Sequence, residues 1–131
     1  MVQHARACRI LSRQAVAVPL KATTVEQQVE SAVIYGLTAA LFGDISIEDG
    51  AVAQTNFTDY EMIKLASCPI IETHIVESGA HLGGLGEPAT PPIAAAVANA
   101  VFDATGTRVR ELPLKNHRLQ ARSEQFAQAA E

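Results

Sequence analysis

Glu87 stands in "GGLGEPATPP", residues 83–92, between a glycine-rich stretch and a proline-opened, alanine-rich segment. Glycine loops at helix starts usually welcome anions, because free N–H groups and the helix dipole favour negative charge there. This one carries its own carboxylate instead. A phosphate in such a cradle would lie beside Glu87 and be repelled, and no lysine follows as in a P-loop. A capping role fits poorly too, since Pro88 separates Glu87 from the helix and Thr90 is better placed to cap. Two readings stay open. Glu87 is either a general base presented on a rigid turn to something large and flat, or a carboxylate with a purely structural part.

The remaining candidates carry less. His4 and His117 lie near the ends, His74 falls in a strand pattern, and His81, in the glycine loop, is near enough to approach a substrate. None has metal-ligand spacing, and Cys8 and Cys68 are too far apart to form a cluster, so no metal ligands are assigned. The two cysteines read as free thiols, which fits a reducing compartment. There is no Ser-His-Asp spacing and no GxSxG elbow. Asp44, Glu48 and Asp49 read as hairpin surface.

Several elements must position Glu87. Val29, Val33, Leu37 and Leu41 recur four apart, predicting a helix capped by Thr24 with Gln27 in the capping-box position and stopped by Gly43. "ISIEDGAV" alternates around Asp49-Gly50, the pair that supplies two positive φ angles to a type I′ hairpin turn. "PIIETHIVES" predicts a strand with Ile71, Thr73 and Ile75 on one side and Glu72, His74 and Val76 on the other. Thr90 and Pro91 open a second helix with Ile93, Val97, Val101 and Ala104 as its apolar stripe, ending at Gly106. "TRVRELPL" reads as a short last strand. These elements make a small α+β unit: a mixed sheet, formed by the hairpin and one or two further strands, with two main helices. Residues 1–23 are expected to be a loose or unrelated tail, 24–115 the folded unit, and 116–131 a frayed polar tail.

Composition bounds the function. The chain has 131 residues, 48% hydrophobic and 18% charged, with ten basic against fourteen acidic side chains. That balance offers no basic stripe for nucleic acid. No apolar run reaches the ~20 residues that span a bilayer. A soluble protein is expected, cytoplasmic by default.

The ordered run of "VESAVIYGLTAALFGDISIEDGAVAQTNFTDYEMIKL", "IIETHIVES" and "GGLGEPATPPIAAAVANAVFDATGTRVRELPL" resembles the C-terminal end of the large subunit of molybdenum hydroxylases. The likeness is to the isoquinoline 1-oxidoreductase beta-subunit type, within the xanthine dehydrogenase and aldehyde oxidase family, and it covers roughly residues 24–115. It implies that Glu87 is the catalytic base beside the molybdenum. It implies Gly84 and Gly86 as the places where the loop passes close to the cofactor. The implied cofactor is molybdopterin, in its cytosine dinucleotide form, with iron–sulfur clusters in a partner subunit. The implied reaction hydroxylates an N-heteroaromatic ring or an aldehyde with oxygen from water, and a periplasmic location is open to the family. The family's upstream glycine-rich cofactor segments have no counterpart in residues 1–23. The chain is therefore expected to need the rest of the large subunit and to be inactive alone. The alternative is a non-catalytic remnant or interaction module. A third possibility is an unrelated small α+β protein whose glycine loop binds an anion.

Overall fold

A computed structural model describes residues 12–16, 21–77 and 83–121. In chain order the elements are strand β1 (Ser12–Val16), helix α1 (Ala22–Phe42), strands β2 (Ile47–Glu48) and β3 (Ala51–Val52), strand β4 (Thr73–Glu77) and helix α2 (Pro91–Thr105). Single 3₁₀ turns occur at Leu65–Ser67 and Leu114–Asn116. The chain divides into two compact units. One holds Met1–Gly36 with Ile63–Pro91, and the other Leu37–Met62 with Pro92–Glu131.

Helix α1 forms where its periodicity places it. Val25, Val29, Ala32, Val33, Leu37 and Ala40 are buried, on the i, i+3, i+4 spacing of one helical face. Leu41, expected on that stripe, is half-buried near the helix end. The start lies earlier than Thr24. The Lys21 carbonyl accepts the Thr24 N–H at 2.8 Å, so Thr24 belongs to the first turn and does not cap it.

Gly43 ends α1 with its N–H donating to the Ala39 carbonyl at 3.1 Å. Its glycine is required by space, not by a left-handed φ. A β-carbon there would meet Ala39 O at 2.6 Å and Ala39 Cα at 3.0 Å, both backbone atoms that cannot swing aside. Gly43→Ala is therefore expected to lower stability by about 1–3 kcal/mol, the usual range for overpacking. Urea unfolding followed by circular dichroism measures it.

In the first unit β1 pairs in parallel with β4, Ser12 opposite Thr73 through Val16 opposite Glu77. This corrects the expectation of a loose tail over 1–23, since residues 12–16 form a strand and α1 begins at Ala22. The unpaired backbone edge of β4 can hydrogen-bond any extended segment, whatever its side chains, so composition gave no warning. Burial along 71–76 alternates half-buried and exposed, with Ile71, Thr73 and Ile75 inward, as the sequence predicts.

The hairpin sits in the second unit. Ile47 pairs with Val52 and Glu48 with Ala51, across a turn with Asp49 at φ 50° and Gly50 at φ 79°. Ser46 and Gln54 clasp its open end: the Gln54 amide oxygen accepts the Ser46 N–H at 3.0 Å, and Gln54 Nε2 donates to Ser46 Oγ at 2.9 Å. The strands thus form two separate pairs, where one mixed sheet was expected; the α+β class holds. Helix α2 starts at Pro91 and closes at Gly106, at φ 75°, whose N–H donates to the Phe102 carbonyl at 2.7 Å. Ile93 and Thr105 are buried on α2, but Ala104, expected on the apolar stripe, is exposed. Ala104 lies on the same face as Ile93 and Val97, but in the last turn of the helix.

Residues 107–114 form no strand. Val109 and Leu114 are buried there without ladder partners, and Arg108 lies 3.7 Å from the centroid of the Phe102 ring. Side-chain anchoring to α2 replaces the pairing a strand would need. Beyond them, His117 Nε2 lies 2.9 Å from the Glu111 carbonyl. A 3₁₀ turn and this contact thus occupy 114–117, where a frayed tail was expected from 116. Its last part, 122–131, lies outside the described residues.

Candidate functional site

Glu87, Pro88, Ala89 and Thr90 make a β-turn closed by the Thr90 N–H donating to the Glu87 carbonyl at 2.8 Å. Proline at the second position presets its φ for such a turn. Ala89 is buried, and the Thr90 hydroxyl donates to the Ala32 carbonyl of α1 at 3.1 Å. The Thr90 hydrogen bond ties this turn to α1, and the burial of Ala89 is a second anchor. Each is of a kind that contributes about 1 kcal/mol. The Glu87 side chain is exposed on the pinned turn.

The capping reading fails on this geometry. Helix α2 begins four residues after Glu87 and has no acidic residue in its first turn. The anion-cradle reading fails with it. Pro91 and Pro92 occupy the first two helical positions and carry no N–H, so two of the donors an anion would need are missing.

A shallow depression of about 470 Å³ lies between this turn and α1. Ser31, Ala32 and Tyr35 line one side, and Gly86, Glu87 and Thr90 the other. That volume matches small-molecule sites, but the depression is open to solvent where such sites enclose their ligand. Tyr35 and Ser31 are residues that sequence reasoning missed. They lie opposite the apolar stripe, and only their i, i+4 spacing marked them as sharing a face.

Neither Gly84 nor Gly86 has a positive φ. A β-carbon at Gly83 or Gly84 would meet nothing within 4 Å, whereas at Gly86 it would lie 3.1 Å from the Gln28 amide oxygen. Backbone conformation therefore does not require glycine at Gly84. Gly84→Ala is expected to change stability by no more than about 0.5 kcal/mol, checked by thermal melting.

Of the other sequence candidates, His74 is exposed on β4 and Cys68 is a half-buried free thiol. His4, Cys8 and His81 lie outside the described residues. Asp44, Glu48 and Asp49 are exposed at the hairpin, with Lys115 Nζ 4.0 Å from Asp44 Oδ2. Among the described residues no three His, Cys, Asp or Glu side chains are grouped to hold a metal ion, and no helix is long and apolar enough to cross a membrane.

No family model matches the chain. It is 32% identical over 91 residues to isoquinoline 1-oxidoreductase subunit beta of Brevundimonas diminuta, covering 70% of this chain and 12% of that protein. It is 38% identical over 101 residues to the xanthine dehydrogenase molybdenum-binding subunit of Escherichia coli O157:H7, covering 72% and 13%. A third relative, 33% identical over 88 residues and covering 67% and 11%, is a membrane-bound aldehyde dehydrogenase of Gluconacetobacter polyoxogenes whose name carries pyrroloquinoline quinone. The chain thus spans 11 to 13% of the length of these relatives. Among solved structures, a Cu,Mo-containing carbon monoxide dehydrogenase superposes with a TM-score of 0.65 at 18% identity, over 82% of this chain and 15% of that one. At that identity the likeness is one of fold.

Proposed function

The chain belongs to the family of molybdenum-binding large subunits of the xanthine dehydrogenase and aldehyde oxidase type, as a segment of their length, and on that premise we propose that it supplies the family's catalytic carboxylate, Glu87. The observation that carries this reading is the pinned turn. It holds an exposed carboxylate at the rim of a depression and leaves open space beside Gly84. Gly84, with open space beside it, and Gly86 would border the cofactor, and Glu87 would be the carboxylate nearest the chemistry.

When bound, a molybdopterin cofactor, in its cytosine dinucleotide form, supplies the transfer of oxygen from water and accepts the substrate's electrons. The chain's own part is narrower. Glu87 takes up a proton at its carboxylate as oxygen is transferred, and the Glu87–Thr90 turn keeps that carboxylate from swinging away. The substrate class is an N-heteroaromatic ring or an aldehyde. The partners are the rest of the large subunit and a small iron–sulfur subunit. The segment is inactive without them.

The test is a segment exchange. Residues 24–115 replace the matching segment of isoquinoline 1-oxidoreductase subunit beta in the assembled enzyme, with Glu87 or with Gln at that position. Turnover that depends on Glu87 supports the reading, and equal turnover by both overturns it. A second reading, a non-catalytic interaction module, is favoured by Phe57 and Leu65, which are 88% and 94% exposed. Apolar side chains exposed to that degree favour association where they join into one patch. On that reading the chain assembles with itself or with a partner, and the exchanged enzyme turns over independently of Glu87.

A further inference from the structure

Tyr35 is 64% exposed, yet it borders the same depression as Glu87. Its neighbours in the wall are small: Ser31 and Ala32 one helical turn before it, and Gly86 across from it. The depression is thus bordered by one aromatic side chain, small residues and one carboxylate. The position is fixed by the hydrogen bond from Thr90 to Ala32, because Ala32 precedes Tyr35 by three residues on α1. The clip that pins the Glu87 turn therefore ties it to α1 one helical turn before Tyr35.

We infer that Tyr35 is a specificity-determining residue: its ring is the wall on which a planar aromatic substrate stacks while its rim faces Glu87. This rests on the reading of the Glu87 turn as part of the active site and adds to it a residue that selects flat rings over saturated ones. Offset stacking on tyrosine adds to the area a ring buries, and a saturated ring cannot adopt it. The hydroxyl is not needed for this, so phenylalanine should serve in its place.

The test uses the whole 131-residue chain without cofactor, titrated with isoquinoline and, separately, with cyclohexanone as a neutral saturated probe. Amide shifts in ¹H–¹⁵N spectra are followed at Ser31, Ala32, Gly86 and Thr90. Saturable shifts with isoquinoline are expected. Tyr35→Ala should weaken binding about tenfold or more, and Tyr35→Phe less than about twofold, the scale of one aromatic contact. Alanine is a strong helix former, so Tyr35→Ala keeps α1 intact. Unchanged binding by Tyr35→Ala, no saturable shift in the parent chain, or equal binding of cyclohexanone overturns the inference. The segment exchange separates this failure from that of the proposed function. Turnover dependent on Glu87 without ring binding overturns only Tyr35's role; ring binding through Tyr35 without dependence on Glu87 overturns the proposed function and with it Tyr35's part in selecting substrate, leaving a ring-binding surface alone.

Discussion

Glu87→Gln, placed in the exchanged enzyme, is expected to lower turnover by about 10²–10⁴-fold, the span that a positioned general base contributes. The substitution keeps the side chain's size and removes its capacity to take up a proton. Glu87 is exposed, and its structural contribution runs through its backbone carbonyl to Thr90, which glutamine retains. Stability should therefore stay within about 0.5 kcal/mol of the parent. Steady-state kinetics with isoquinoline, alongside thermal melting of the same preparations, measures both quantities. A fall in turnover accompanied by an equal loss of folded protein would point to a structural carboxylate, the reading the sequence left open. Glu87→Asp sharpens the comparison. It restores a base one methylene short, so partial recovery identifies proton transfer as the step that depends on reach.

Ile93→Ala is expected to have the largest effect on stability, about 2–5 kcal/mol. Ile93 is 1% exposed, and it is among the largest fully buried side chains. Removing three carbons there loses their transfer free energy and leaves a cavity that the surrounding side chains fill only in part. A domain of this size is stabilised by about 5–15 kcal/mol in all, so one such cavity takes a large share. Urea unfolding followed by circular dichroism measures the change, with Phe57→Ala as the control. Phe57 is 88% exposed, and its truncation should shift the midpoint little. Loss at Phe57 comparable to that at Ile93 would mean that the exposed ring is covered by association in solution.

Both helices were legible because they are amphipathic, and a four-residue repeat of Val and Leu has few other ways to hide. The hairpin was legible for a local reason. Asp49 and Gly50 are the residues that tolerate positive φ, and the structure shows them at 50° and 79°. One miss was local, the Thr24 cap, which lies in the first turn of α1 because its N–H already donates to Lys21; the larger misses were non-local. The pairing of Ser12–Val16 with Thr73–Glu77 joins segments some sixty residues apart through backbone groups that every sequence possesses. "TRVRELPL" has a strand's composition, yet Val109 and Leu114 are buried without ladder partners.

At the site the same division holds. The type of residue at position 87, its proline, and the glycines before it are local facts, and they pointed to a presented carboxylate with a cap and an anion cradle as rivals. The amino-acid sequence by itself determined the two helices, the hairpin turn, and the carboxylate held between glycine and proline. The sequence already argued against both rivals, and the structure agrees, with two N–H-free prolines in the first turn of α2; only the tertiary structure ties Thr90 to Ala32. It also brought Tyr35 and Ser31 to the carboxylate's side. A hydrogen bond between residues 58 positions apart depends on how α1 and the turn pack, and no local pattern encodes that distance.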